Sequence, residues 1–200
     1  MNILAAIGAL LVGYLLGAIS FAVIIGKKHG VDILKVGSGN PGATNVKRAI
    51  GKKAGNLCFA LDALKGFVAT LLPQLVVDSE HALAFAIIGL VGAIIGHSFS
   101  IFIGFKGGKG VAVTMGGLLA LAPLVLICGL LVWVATFYTS RYVSLASIAF
   151  GVSLPLLALM AGSPGLLVAF FALLAALIII RHKGNIQRLL AGTENRFTKK

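Results

Sequence analysis

From Ile3 to Ile25 the chain carries no charged side chain, and a helix needs only about 20 such residues to cross a bilayer. Apolar runs of this kind lie at 3–26, 55–77, 82–103, 143–160 and 165–181. A segment inside a bilayer must satisfy its backbone hydrogen bonds internally, so the runs predict an all-α, polytopic transmembrane helical bundle. Composition agrees: 59% of the 200 residues are hydrophobic and 11% charged, against about 25% charged in soluble domains. The mean hydropathy is +1.07. No Lys or Arg precedes the first run, which is also too long for a signal-peptide core, so it reads as a retained span. No sustained internal repeat is visible, and residues 1–200 are expected to act as a single integral membrane domain.

The stretch from Val111 to Tyr138 is too long for one upright crossing and too short for two full ones, with Pro123 near its middle. Charge decides between the readings. If the chain turns near Pro123 and crosses as two short helices, then 27–53, 104–110, 139–142 and the tail from Arg181 fall on one side. Those segments hold every Lys and Arg except Lys65, while 78–81 carries Asp78 and Glu80. The positive-inside rule then predicts seven spans, an outward N-terminus and a cytoplasmic C-terminus. A net charge of +12 would point a soluble chain toward nucleic acid; here the membrane accounts for it, and neither nucleic acid nor an obligate protein partner is expected. Cys58 and Cys128 lie in apolar runs and read as packing residues. The four histidines and five carboxylates are scattered without metal-ligand spacing, so neither a metal nor a cofactor is expected.

The polar residues gather in three clusters. The first, "GSGNPGATN" from Gly37 to Asn45, is followed by Lys47 and Arg48. Glycines let backbone N–H groups approach a ligand and form a concave anion nest. Ser38, Asn40, Thr44 and Asn45 add side-chain hydrogen bonds, and Arg48 can grip a phosphate through two parallel ones. The Gly37-x-Gly39-x-x-Gly42 spacing matches a dinucleotide fingerprint, but it follows a transmembrane helix instead of the strand that fingerprint requires. A plain glycine-rich turn is the bland alternative.

The second cluster, "GHSFSIFIGFKGGKG" over 96–110, sets His97 near the end of a span and Lys106 and Lys109 around Gly107-Gly108. It lacks the first glycine and the Ser or Thr of a P-loop, and its lysines could equally be snorkelling topology markers. The third, "RHKGNIQRLLAGTENRF", holds His182, Asn185, Arg188 and Glu194. His182 and Asn185 share a face on a continuing helix. Arg141, Tyr142 and Ser144 occupy the remaining connection on that side. Asp62 and Lys65, three apart inside the second span, read as a mutually neutralising pair that aims neighbouring loops.

The three clusters, "GSGNPGATNVKRAIGKKAG", "GHSFSIFIGFKGGKGVA" and "RHKGNIQRLLAGTE", with "RYVSLAS" between the last two, closely resemble the bacterial membrane acyltransferases that move a fatty acyl chain from acyl phosphate to glycerol 3-phosphate. The resemblance implies a seven-span inner-membrane enzyme with a cytoplasmic site. Its products would be lysophosphatidic acid and phosphate, the first step of bacterial phospholipid synthesis. It implies that Ser38, Gly39, Asn40, Gly42, Ala43, Thr44 and Asn45 form the acyl-phosphate pocket. Arg48, Lys106, Lys109, Ser144, His182 and Asn185 would help hold glycerol 3-phosphate, with His97 close by. Ser38, Arg48, Lys109 and His182 are the catalytic candidates. The partners implied are the two substrates and membrane lipid. The chain departs from the expected pattern at Ser100, where proline is expected, and at Val113, with Thr114 one place after the expected threonine.

The chemistry suits these substrates. An acyl phosphate is already activated, so positioning the acceptor hydroxyl and stabilising the developing negative charge are the main requirements. The donor phosphate can take the hydroxyl proton; His97 or His182 is the rival base. A transporter of a phosphorylated solute and a basic membrane scaffold are the rival functions.

Overall fold

A computed structural model describes residues 2–197; Lys199 and Lys200, part of the basic tail counted above, lie outside the described residues. Among the described residues the regular structure is helical, apart from an isolated β-bridge between Ser100 and Lys106. The chain divides into two compact units, residues 1–121 and 122–200. The first contains α1 (Ile3–Ala18), α2 (Phe21–Lys28), α3 (Ala43–Ala49), α4 (Lys52–Gln74), α5 (Ser79–Ser98) and α6 (Val111–Leu121). The second contains α7 (Pro123–Ser140), α8 (Val143–Met160), α9 (Gly165–Arg181) and α10 (Lys183–Leu190).

Lipid tails are as apolar as leucine, so membrane helices associate through small residues that let backbones approach. In the first unit, added side chains at Gly13 and Gly17 of α1 would strike the Gly89 and Ala93 carbonyls of α5. Added side chains at Gly92 and Gly96 of α5 would strike the Leu10 and Tyr14 carbonyls of α1. α4 meets α6 in the same way, through Gly66 on the Val113 carbonyl and Gly116 on the Ala63 carbonyl. In the second unit α8 packs between α7 and α9, with Phe150, Leu154 and Phe171 fully buried. Leu11, Leu15, Leu64, Leu131, Leu156 and Leu173 are exposed, as expected of surfaces that face lipid.

Among the described residues, five helical segments, counting Ile3–Lys28 as one, are long and apolar enough to cross a membrane, and the α9–α10 pair raises this to six. α6 has 11 residues, which rise only about 16 Å against a core of about 30 Å. Length alone therefore yields five or six crossings where seven were expected. The expected break near Pro123 is present: Ala122 leaves helical geometry and Pro123 starts α7 at its first turn, where a missing N–H costs no intrahelical bond.

Two apolar runs end differently from their reading. The run 82–103 is α-helical only to Ser98 and makes one short 3-10 turn at Ile101–Ile103, because the chain folds back through the Ser100–Lys106 bridge. The run 3–26 is interrupted at Ile19–Ser20. The carbonyls released there have side-chain donors: Lys65 Nζ donates to Gly17 at 2.8 Å and Ile19 at 2.6 Å, and Ser100 Oγ donates to Ala18 at 2.6 Å.

Candidate functional site

The Gly37–Asn45 loop stands on a small apolar core. Ile33 and Val46 pack with Ala22, Ile25 and Cys58, which pins both ends of the loop. Between them Gly37 and Gly39 adopt φ values of +59° and +65°, a left-handed backbone that glycine accepts readily. Asn45 closes the loop from inside and is 2% exposed. Its Oδ1 accepts the Ser38 N–H at 3.0 Å, and its Nδ2 donates to the Ile33 and Val36 carbonyls at 3.1 and 3.0 Å. A side chain at position 37 would collide with that carboxamide.

Ser38 is exposed, and its Oγ accepts the Asn40 N–H at 3.4 Å. The loop leads into α3, whose N-cap Gly42 provides no side-chain cap, so the Ala43 and Thr44 N–H groups have no intrahelical acceptor. Arg48 is exposed in the last turn of α3. A hydroxyl, backbone N–H donors and a guanidinium within one loop and one helix form an arrangement suited to an oxyanion. A groove of about 600 Å³ opens beside it, lined by Val23, Lys27, Val31, Ile33, Leu34 and Ile103 among others.

The second cluster is built by the turn after α5. The Ser100 N–H donates to the Lys106 carbonyl at 3.1 Å and the Phe105 N–H to the Ser100 carbonyl at 2.8 Å. Ser100 Oγ also accepts the Phe102 N–H at 3.2 Å. The expected proline would supply neither the N–H nor the hydroxyl. Phe99, Ile101, Phe102 and Phe105 remain exposed at the tip, next to Lys106. The chain then returns to His97: the Gly108 N–H donates to the His97 carbonyl at 3.0 Å, and a side chain at 107 or 108 would strike His97. Lys109 follows, half-buried. His97 is itself buried, with Nδ1 3.7 Å from Asp62 Oδ1, and Asp62 pairs with Lys65 at 2.9 Å. This is the neutralising pair expected in α4. Thr114, the displaced threonine, is fully buried in α6.

In the second unit the polar residues converge on one carboxylate. Glu194 Oε1 accepts from Ser144 Oγ at 2.9 Å and Asn185 Nδ2 at 2.7 Å, and Oε2 accepts from Arg188 Nε at 2.7 Å. Burial alone would raise the Glu194 pKa, but these hydrogen bonds and the Arg188 charge outweigh it and hold the carboxyl below the ordinary glutamate range. His182 is buried where α9 and α10 meet at a 60° bend. Its Nδ1 lies 2.8 Å from the Ile178 carbonyl; a carbonyl only accepts, so Nδ1 carries the proton and Nε2 is the acceptor of the neutral ring.

A family described as Glycerol-3-phosphate acyltransferase matches residues 7–192. The chain belongs to this glycerol-3-phosphate acyltransferase family. A relative of that name from Aquifex aeolicus is 46% identical over 186 residues, which cover 92% of this chain and 95% of that one. Among solved structures, the chain is similar to the glycerol 3-phosphate form of PlsY (YgiH), described as an integral membrane glycerol 3-phosphate acyltransferase. The TM-score is 0.90 at 44% identity, covering 96% of both chains. The lysophosphatidic acid form of PlsY gives 0.88 at 43% identity, covering 96% of this chain and 95% of that one. With its span-length apolar helices, this acyltransferase-family chain is a multi-pass integral membrane protein.

Within the first unit, Ser38, Gly39, Asn40, Gly42, Ala43, Thr44, Asn45 and Arg48 share one loop and helix, and His97, in the last turn of α5, lies against the turn that carries Lys106 and Lys109. Within the second, Ser144 and Asn185 meet at Glu194, while His182 sits at the adjoining bend between α9 and α10. Sequence reasoning named Glu194 but gave it no role; its partner Ser144 lies 50 residues away. The only local signal was an acid in a basic tail.

Proposed function

We propose that the protein transfers a fatty acyl chain from acyl phosphate to glycerol 3-phosphate, producing lysophosphatidic acid and phosphate. The observation that carries this reading is the likeness, over 96% of the chain, to PlsY in its glycerol 3-phosphate and lysophosphatidic acid forms. Those two molecules are the acceptor and product of one acyl transfer. The reading includes a cytoplasmic site in the inner membrane, seven crossings, an outward N-terminus and one domain spanning both units. Family matching across residues 7–192 supports the last of these, and the one-sided basic loops support the orientation.

The donor is inferred from the chemistry of the Gly37–Arg48 segment. Its glycines, uncapped α3 N–H groups and arginine suit a phosphate, and the neighbouring groove, mainly apolar, suits an acyl chain. In the proposed step the acceptor hydroxyl oxygen forms a bond to the acyl carbon, and the bond from that carbon to phosphate oxygen breaks. The departing phosphate takes the hydroxyl proton. Ser38, Gly39, Asn40, Gly42, Ala43, Thr44 and Asn45 form the donor pocket, with Asn45 bracing it from within. The acceptor-binding candidates are Arg48, Lys106 and Lys109 in the first unit and Ser144, His182 and Asn185 in the second, and fixed cations would stabilise charge developing on the phosphate and carbonyl oxygens.

Purified protein in detergent, given acyl phosphate and glycerol 3-phosphate, tests this function without a second compartment. Equal amounts of phosphate and acylated product are expected. Solute movement across vesicles with no product under any condition would favour the transporter.

A further inference from the structure

We propose that Lys65 is a positioning residue. Together with Ser100 it holds the break in the first span in one shape, and through Asp62 it sets His97 against the loop that carries Lys109. This deepens the proposed function, because it rests on His97 and Lys109 lying on the substrate side.

Ending α1 at Ala18 releases carbonyls inside an apolar layer, where water cannot serve as donor. Three consecutive carbonyls, of Gly17, Ala18 and Ile19, are met by side chains from distant parts of the chain. Lys65 is 5% exposed and has three N–H donors. Two go to Gly17 and Ile19, and the third side of the ammonium faces Asp62 at 2.9 Å. The Phe21 ring lies 5.6 Å away, over the first turn of α2. A pair that served only to cancel charge would have no reason to bind the break.

Asp62 is shared in turn. The oxygen facing Lys65 also lies 3.7 Å from His97 Nδ1, beyond a hydrogen bond, so the carboxylate acts through its charge and favours the proton on that nitrogen. The other edge of the ring lies against Gly108, where an added Cβ would meet Nε2. The His97 carbonyl accepts the Gly108 N–H. Lys109 is the next residue, and Ser100 closes the same turn, so the interrupted span and the lysine-bearing loop share their fixing points.

The test uses full-length protein in detergent micelles. Ser100→Ala removes one donor, and the neutral pair Asp62→Asn with Lys65→Met removes the rest without leaving a lone buried charge. Amide exchange of residues 19–24 is expected to speed up about tenfold or more in both variants. In the neutral pair the 15N shifts of labelled His97, assigned by the loss of its signal in His97→Gln, should move away from the Nδ1–H form. Its kcat should fall about tenfold with KM nearly unchanged. Unaltered exchange in both variants, or an unaltered His97 tautomer in the neutral pair, would overturn the inference. Exchange and 15N shifts need no turnover, so an inactive wild-type protein would count against the acyltransferase reading while leaving this one decided by its own data.

Discussion

Asn45 shows how a polar residue can serve the proposed anion loop from behind, without facing a ligand. Its side-chain bonds to Ser38, Ile33 and Val36 all turn inward, fixing the backbone from which Ser38 projects. Asn45→Ala should lower stability by roughly 2–3 kcal/mol, at about 1 kcal/mol per net hydrogen bond. Asn45→Asp should be worse, because it sets a carboxylate oxygen against two carbonyls. Thermal unfolding of both variants in detergent checks the order. Glu194 makes the corresponding point in the second unit. Its folded pKa is held below the ordinary glutamate range, so its contribution is present above that range and lost as pH falls from it through the lower folded value. Glu194→Gln should therefore destabilise the protein at neutral pH and flatten the acid limb of its stability profile, measured by unfolding from pH 7 downward. The types of these residues were legible in the chain. Their directions were not, because an asparagine in a glycine-rich loop reads the same whether its amide faces a ligand or a carbonyl.

At the scale of elements, close backbone approach holds α1 to α5. Gly96→Val would drive its side chain into the Tyr14 carbonyl, and overpacking of this kind typically costs about 1–3 kcal/mol. The variant should lose folded protein in a size-exclusion or thermal assay, whereas Gly8→Val, with open space around it, should not. Helix existence was legible from apolar length, and the break at Ala122 from Pro123. The break at Ile19–Ser20 was not, since neither residue is Gly or Pro and its cause lies in Lys65 and Ser100. The end of α5 at Ser98 was hidden for a related reason: the apolar residues continue past it into an exposed turn. Hydropathy measures the solvent a segment prefers and says little about where its hydrogen bonds are made.

For the whole molecule, the proposed seven crossings place 27–53 and the tail on the cytoplasmic side and 78–81 opposite. Single cysteines at Lys35 and Arg196, in a background lacking Cys58 and Cys128, should react with an impermeant reagent only from the inside of oriented vesicles. One at Ser79 should react only from outside. Labelling of positions 35 and 196 from opposite sides would remove the seventh crossing. The motifs made the family readable from the chain, because its Gly, Ser, Asn, Arg and Lys residues are concentrated in a few short segments. The central claim is that these segments form a phosphate-binding site for acyl transfer. Its most direct measurement is turnover by Ser38→Ala, Arg48→Ala and Lys109→Ala, each purified as a folded, membrane-inserted protein. We predict a loss of at least about a hundredfold in each, the range expected when a charge-stabilising donor is removed. Near-normal acylation of glycerol 3-phosphate by all three would contradict the claim.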